Sequence, residues 1–154
     1  MSAPEQTTPL QYFSSFSHGI DEKRRAQVPA AWRPESEGTK LTLMVWSKHK
    51  AGTCLRVLPA HELAKIVATI DALPKGDASK GALQRLIGRD SVQVTLDKAG
   101  RIILPDAFAK AADLRDEALF VGCIHHFEIW NPARHENAKA IDDAIAPQAL
   151  DLLD

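Results

Sequence analysis

Short runs in which apolar and polar residues alternate predict β-strands in two separate parts of the chain. Val92–Leu96 alternates in this way, so one face of this strand is expected to lie in a core. Further strands are predicted at Phe16–Ile20, Arg25–Val28, Leu41–Trp46, Cys54–Leu58, Arg101–Leu104, Ala118–Val121 and Phe127–Trp130. Short helices are predicted over Pro29–Arg33 and Asp106–Ala112, since a proline at the first helical position loses no hydrogen bond.

The segment between these two parts has the period of a helix. Five apolar residues at helical spacing predict a helix near 60–73, ended by Pro74; they are Leu63, Ile66, Val67, Ile70 and Leu73. Leu83, Leu86 and Ile87 predict a second helix near 79–87, which Gly88 is expected to close.

A third helix is predicted near 133–146, where Asn131 supplies a cap and Pro132 a first-turn proline. Pro147 is expected to break this helix, and the acidic tail Asp151–Asp154 is expected to fray.

The two strand-rich parts are copies of one another. Ile20–Trp32 aligns with Leu96–Phe108 at an offset of 76 residues, with Asp, Arg, Pro and the second Ala identical. Leu55–Leu58 then aligns with Phe127–Trp130 at an offset of 72, so a loop has lost four residues. Because the order of elements is the same twice, the repeat predicts two pseudo-equivalent hairpin units around one barrel-like core.

Composition excludes several classes of protein. The chain has 154 residues, 45% of them apolar, which suits one domain or two small related ones with a real core. No apolar run approaches the roughly 18 residues of a membrane span, and Met1–Pro9 has no apolar signal region. The two cysteines are too few for a disulfide framework, so a reduced, cytosolic protein is expected.

The net charge of −1 conceals an asymmetry along the chain. Residues 1–101 carry 15 basic and 10 acidic side chains, whereas residues 102–154 carry 4 and 10. A near-neutral protein has no global attraction to nucleic acid, but its basic part can present a local one. At this level a DNA-binding patch and an ordinary solvated surface are both open.

The motifs resemble a known family. The Asp-x-x-x-Arg turn, followed by an apolar pair, Pro and a short helix, resembles the AbrB-like swapped-hairpin fold. Two such copies separated by two helices, with Phe127–Trp130 after the second, resemble the MraZ family of bacterial transcriptional regulators over about residues 13–138. The resemblance implies an α+β fold, mainly β, in which two swapped-hairpin units form a double-psi-type barrel with flanking helices.

This resemblance also implies a division of the chain and a function. The expected parts are a flexible extension at 1–12, repeats at 13–60 and 91–133, a helical connector at 61–90, and a C-terminal helix with an acidic tail at 134–154. Members of the family bind short direct repeats in their own promoter, upstream of the division and cell-wall genes, and assemble into rings. A cytoplasmic, nucleoid-associated homo-oligomer that binds double-stranded DNA is therefore expected.

The cations at the two hairpin tips are the candidate DNA-binding residues: Lys23, Arg24, Arg25, Lys98 and Arg101. A two-stranded ribbon fits the major groove, where Arg bonds guanine in a bidentate manner, while neighbouring Lys residues suit phosphates. Asp21, Asp97 and Gly100 are expected to structure the turns, with each Asp accepting turn N–H groups. The alternative is that each Arg merely pairs with its Asp.

One position departs from the family pattern. The family usually has Gly where Arg24 stands, as Gly100 stands in the second copy. A left-handed Arg costs about 1 kcal/mol. Either the first turn has another shape, or Arg24 accepts this strain while adding a cation.

Other chemistry has little support in the sequence. Cys54, Cys123, His49, His125 and His126 match no standard metal-ligand spacing, so no metal, cofactor or small-molecule ligand is expected. The chain has no P-loop, Gly-x-Ser-x-Gly or Gly-x-Gly-x-x-Gly motif, so it is expected not to be an enzyme. The alternative function is a ring-forming protein-interaction module, such as an antitoxin-like partner, whose acidic C-terminal part would suit a protein.

Overall fold

The computed structural model describes residues 8–154 and contains eight strands and four helices. The strands are β1 Ser15–Gly19, β2 Arg25–Gln27, β3 Leu41–Trp46, β4 Cys54–Leu58, β5 Ser91–Val94, β6 Arg101–Ile103, β7 Glu117–Gly122 and β8 Phe127–Trp130. The helices are α1 Ala60–Asp71, α2 Ala78–Arg89, α3 Asp106–Ala111 and α4 Pro132–Leu150. Short 3₁₀ turns cover Ala30–Trp32 and Asp151–Leu153. The predicted strands and the other predicted helices are present, with ends that coincide or are displaced by up to a few residues, whereas the helix predicted over Pro29–Arg33 is a 3₁₀ turn of three residues. The α+β class is confirmed.

The strands of the two copies are interleaved. Six of them form one antiparallel sheet in the order β1-β7-β8-β4-β3-β5, and β2 and β6 form a separate antiparallel ribbon. The first strand of each copy pairs with the third strand of the other copy, as β1 with β7 and β5 with β3. Neither copy therefore completes its sheet without strands from the other.

The pairing register gives the chain an internal two-fold symmetry. In the ribbon, Ala26 pairs with Ile102, its own equivalent at an offset of 76. In the large sheet, Arg56 pairs with Glu128, its own equivalent at an offset of 72. The pseudo-two-fold axis thus passes between β2 and β6 and between β4 and β8.

The register shows that the shift from an offset of 76 to one of 72 arises in two steps and not from one loop that is four residues shorter. Leu41 pairs with Val94, and Ala118 pairs with His18. Since His18 and Val94 are 76 residues apart while Leu41 and Ala118 are 77 apart, one residue is gained before β7. Five residues are then lost between β7 and β8, which gives the net loss of four seen in the sequence.

The core lies between the inner face of the large sheet and the β2–β6 ribbon. Ala26 and Ile102 of the ribbon are buried together with Leu55 and Ile129 of the sheet. Aromatic rings fill the space beside them, with Trp32 and Phe127 centroids 5.0 Å apart. Alternation along the strands turns Arg56 and Glu128 to the opposite, outer face. The ribbon and the outer face are therefore separate surfaces.

Three expectations are corrected. Helix α2 continues one residue beyond Gly88, so Gly88 does not close it. Helix α4 runs through Pro147 to Leu150, because a proline near the end of a helix interrupts few backbone hydrogen bonds. Among residues 8–154 the paired strands give an open sheet, with β1 and β5 at its edges, and a separate ribbon instead of one closed barrel.

Two further expectations concern the ends of the chain and the membrane. The first seven residues of the extension predicted at 1–12 lie outside the described residues. Of the helices in the described part, none is both long and apolar enough to cross a membrane.

Candidate nucleic-acid interface

The first hairpin tip is built around the carboxylate of Asp21. Its Oδ1 accepts hydrogen bonds from the backbone N–H groups of Lys23 at 2.9 Å and Arg25 at 2.8 Å. Its Oδ2 accepts a hydrogen bond from Nε of Arg25 at 2.7 Å. The backbone N–H of Arg24 closes the turn onto the carbonyl of Asp21 at 2.9 Å. One carboxylate thus shapes the turn and fixes the Arg25 side chain.

The second tip repeats this arrangement. Asp97 Oδ1 accepts from the N–H groups of Ala99 and Arg101, each at 2.9 Å, and Oδ2 accepts from Nε of Arg101 at 2.8 Å. The backbone N–H of Gly100 bonds the carbonyl of Asp97 at 2.9 Å. The Asp-x-x-x-Arg spacing of both copies therefore encodes one turn in which the carboxylate binds the N–H and the guanidinium of the same arginine.

These hydrogen bonds keep both carboxylates ionised. The pKa values of Asp21 and Asp97 are lowered, first by the backbone N–H groups of Arg25 and Arg101 and then by the guanidinium groups of the same residues. Each tip therefore carries its arginine as an ion pair at neutral pH.

The fourth turn position is left-handed in both tips. Arg24 has φ of 58° and Gly100 has φ of 78°. The first turn therefore has the same shape as the second, and Arg24 accepts the strain of a left-handed side chain. This decides between the two possibilities that the sequence left open.

Two arginines at different positions in the chain donate hydrogen bonds to equivalent carbonyl groups. Arg24 Nε donates to the carbonyl of Leu104 at 3.1 Å, whereas Arg33 Nε donates to the carbonyl of Val28 at 2.9 Å. Val28 and Leu104 are equivalent in the repeat. The guanidinium of Arg33 lies where a side chain on residue 100 would project, since a Cβ on Gly100 would overlap Nε and Cζ of Arg33. One guanidinium thus bonds the equivalent carbonyl at each tip: Arg24 supplies it from the turn itself, whereas Gly100 leaves space for the guanidinium of Arg33.

The ribbon between the tips presents a polar outer face. Arg25 pairs with Ile103 and Gln27 pairs with Arg101, while Ala26 and Ile102 point into the core. A cavity of about 320 Å³ beside them is lined in part by Asp21, Arg25, Gln27 and Arg101.

Two side chains of this face were missed by the sequence reasoning. Gln27 donates from Nε2 to the carbonyl of Ala99 at 3.2 Å, and Ile103 is 58% exposed. Alternation with the buried Ala26 and Ile102 could have found both, since it places them on the same side as the two arginines.

The predicted lysines stand at the outer edge of the tips. Lys23 and Lys98 are exposed, and within residues 8–154 neither ammonium group takes part in an ion pair. All five predicted cations therefore belong to the two tips that flank the β2–β6 ribbon.

Nucleophilic chemistry finds no support at the cysteines. Burial is the main cause that raises the pKa of Cys54, and it raises the pKa of Cys123 to about 12. Both thiols therefore stay protonated at neutral pH, and a thiol is a poor nucleophile. Within residues 8–154, the group of side chains that could hold a metal is Cys123, His126 and Glu128, on the far side of the sheet from the ribbon.

Comparison with known proteins finds similarity to one family over most of the chain. Residues 88–148 match the family described as "MraZ protein, putative antitoxin-like". The chain is similar to the transcriptional regulator MraZ of a Roseiflexus species, with 32% identity over 136 residues that cover 88% of this chain and 91% of the relative. It is also similar to that of Ruegeria pomeroyi, with 30% identity and coverage of 89% and 85%. The Pediococcus pentosaceus protein of the same name is 32% identical, and the match covers 81% of this chain and 84% of the relative.

Proposed function

This chain belongs to the MraZ family, and on that premise we propose that it is a sequence-specific DNA-binding transcriptional regulator, not an enzyme. The observation that carries the proposal is the β2–β6 ribbon, with an identical Asp–Arg turn at each end and five cations around it. A two-stranded ribbon has the width to enter the major groove.

Base reading is assigned to Arg25 and Arg101. The carboxylates of Asp21 and Asp97 hold these arginines through Nε, which leaves the two terminal amino groups of each guanidinium to face a base. Two parallel N–H donors match O6 and N7 of guanine. Because each guanidinium is already oriented, less side-chain entropy is lost when DNA binds.

Phosphate contacts are assigned to Lys23 and Lys98, which extend beyond the turns as exposed, flexible ammonium groups. Arg24 is assigned a mixed role, since its Nε is bound to the Leu104 carbonyl while its position adds positive charge to the first tip. These contacts position the protein on DNA without reading sequence.

The targets and assembly are proposed from the family and from the size of the interface. One chain offers only two tips, so one copy binds weakly, and several copies that read repeated sites gain effective concentration. We therefore propose that a ring of subunits binds short direct repeats upstream of its own operon, in the division and cell-wall gene cluster. The protein would act in the cytoplasm, at the nucleoid.

Helices α1 and α2 are proposed as the subunit contacts of this ring. Val67 and Leu86 are 43% and 45% exposed, and an apolar groove of about 530 Å³ lies between these helices and Trp46. The division into repeats at 13–60 and 91–133 belongs to the same proposal.

A protein-interaction module is the second candidate, and the 3₁₀ turn that follows α4 favours it. Leu152 and Leu153 are 87% and 80% exposed beside Asp151 and Asp154. An acidic segment with exposed leucines suits a basic protein partner, as the antitoxin-like description of the family suggests.

The test is footprinting on the DNA upstream of the protein's own gene, followed by fluorescence anisotropy with the protected site and a scrambled sequence. The wild-type protein is expected to prefer the protected site by at least about 10³-fold. Arg25→Ala combined with Arg101→Ala should remove this preference. Lys139→Ala, which removes a 60% exposed cation from α4, is the matched control and should retain it. Equal binding of both sequences by the wild-type protein would favour the second candidate.

A further inference from the structure

Three potential metal ligands converge on the outer face of the sheet, at the β7–β8 connection. Sγ of Cys123, an imidazole nitrogen of His126 and a carboxylate oxygen of Glu128 all lie within 4.8 Å of one another. The backbone N–H of Cys123 bonds the carbonyl of His126 at 2.9 Å, so the short loop is closed and holds both side chains in place. Among residues 8–154 this is the one such group of three.

A second observation concerns the imidazole of His126. Its Nε2 is buried and has no hydrogen-bond partner within residues 8–154, and it lies 3.7 Å from Oε2 of Glu128, beyond hydrogen-bond distance. A buried nitrogen without a partner is costly and calls for an explanation. A cation between the imidazole and the carboxylate would supply one.

The carboxylate of Glu128 is held by two outer partners. Arg56 Nε donates to Oε2 at 3.1 Å, and Trp130 Nε1 donates to Oε1 at 2.9 Å. The guanidinium of Arg56 is itself fixed at 3.8 Å above the ring of Trp46. Hydrogen bonds of this kind orient a ligating carboxylate and are typical of protein metal sites.

The cationic partner of this carboxylate favours its ionised form. The guanidinium of Arg56 lies 3.1 Å from Oε2 of Glu128, and a cation at this distance stabilises a negative carboxylate. An anionic oxygen is therefore available beside the sulfur and the nitrogen.

We propose that Cys123, His126 and Glu128 bind a divalent transition-metal ion, Zn²⁺ first of all, with a solvent molecule as the fourth ligand. Sulfur, imidazole nitrogen and carboxylate oxygen together suit a borderline-soft, four-coordinate ion and disfavour Mg²⁺ and Ca²⁺. On binding, the thiol of Cys123 releases its proton to solvent and the sulfur–metal bond takes its place. The thiolate and Glu128 then balance the two charges of the metal.

The site is a property of the second copy alone. At an offset of 72, Arg56 is the equivalent of Glu128, so the first copy has a cation where the second has a ligand. Spacing alone argued against a metal at Cys123 and His126, because the third ligand, Glu128, belongs to the strand after the loop and Cys-x-x-His-x-Glu is no standard metal motif. The inference does not rest on the DNA-binding proposal, since the two surfaces lie on opposite sides of the sheet.

The experiment is a titration of the untagged, full-length, EDTA-treated protein with Co²⁺, which reports tetrahedral thiolate coordination by its absorption bands. One equivalent is expected to bind, with a sulfur-to-cobalt charge-transfer band, and Zn²⁺ should displace it. Cys123→Ser and His126→Gln should each weaken binding by at least about tenfold and remove or reduce that band.

The chain supplies a matched control for each ligand. His125→Gln alters an exposed neighbouring histidine, and Cys54→Ala alters the other, fully buried cysteine. Both should bind Co²⁺ as the wild-type protein does, and circular dichroism establishes that every variant is folded. The proposal is wrong if the wild-type protein binds no Co²⁺ at micromolar concentration, or if the control and ligand variants lose it equally. If Cys123→Ser unfolds, Glu128→Gln decides, since its amide retains the size and the bond from Trp130 while losing the ligating charge.

Discussion

Replacing Gly100 by Ala is expected to destabilise the protein through two separable effects. The first is backbone strain, because residue 100 has φ of 78° in the left-handed region. The second is a clash, because the new Cβ would overlap Nε and Cζ of Arg33 and lie 2.8 Å from Nη1. Arg33 would have to move, and its bond to the carbonyl of Val28 would be lost.

The magnitude follows from these two effects. A left-handed Ala costs roughly 1–2 kcal/mol relative to Gly. Loss of the bond between Arg33 and the Val28 carbonyl adds about 1 kcal/mol. The total is about 2–3 kcal/mol in the wild-type background. In an Arg33→Ala background only the strain remains, so the coupling free energy between the two positions should be about 1 kcal/mol.

Urea unfolding at a fixed protein concentration measures this coupling, since assembly contributes to the apparent stability. Gly38 provides the matched control, with φ of 77° and no atom within 4 Å of the position of a Cβ. Gly38→Ala should therefore cost only the strain. If Gly100→Ala costs no more than Gly38→Ala, or if Arg33→Ala leaves the cost of Gly100→Ala unchanged, the account of Arg33 as the reason for glycine is refuted.

The remaining predictions concern DNA, acid and the last helix. Arg25→Ala should reduce the preference for the protected DNA site by about 1–3 kcal/mol, whereas Lys23→Ala should weaken binding to all sequences alike and reduce the slope of log affinity against log salt by about 1. Equal selectivity of Arg25→Ala and wild type would refute the assignment. In the folded state the pKa of Glu128 is lowered to about 2, against about 4.5 in the unfolded chain. At pH values above 4.5 its ionisation therefore adds about 3 kcal/mol to the free energy of unfolding, and this stabilisation is lost as the pH falls towards 2. The stability difference between the wild type and Glu128→Gln should therefore shrink with acidification, and a difference that is constant with pH would contradict the depressed pKa. Pro147→Ala should raise the stability of the protein by up to about 1 kcal/mol in thermal unfolding, because it restores a backbone donor to α4, and a lowered midpoint would show that the proline is favourable where it stands.

Local patterns predicted the elements of the fold because their causes are local. Alternation in Val92–Leu96 indicated β5. The Asp97–Gly100 signature indicated the turn in which the Asp97 carboxylate accepts hydrogen bonds from backbone N–H groups. The offset of 76 placed the two hairpins in equivalent positions, as the ribbon register shows. The identity of the turn residues therefore sufficed for the shape of both tips.

Contacts between distant residues could not be predicted in this way. Arg33 and Gly100 are 67 positions apart, and Arg24 reaches a carbonyl 80 positions away, so no spacing rule connects them. Glu128 joins Cys123 and His126 only because β8 follows a loop shortened in the second copy. The helix end predicted at Pro147 was wrong because the helical residues on both sides of this proline outweigh its local preference against a helix.

The pairing of Arg56 with Glu128 on the pseudo-two-fold axis has a consequence for how such a protein can be built. A true homodimer of a single-copy ancestor would bring each residue on the axis against itself, Arg against Arg or Glu against Glu. Only after two copies have diverged in sequence can opposite charges meet there, as Arg56 and Glu128 do at 3.1 Å. The two halves have thereby become complementary and no longer interchangeable. Expressed as separate chains, the two halves are expected to pair with one another in preference to pairing with copies of themselves.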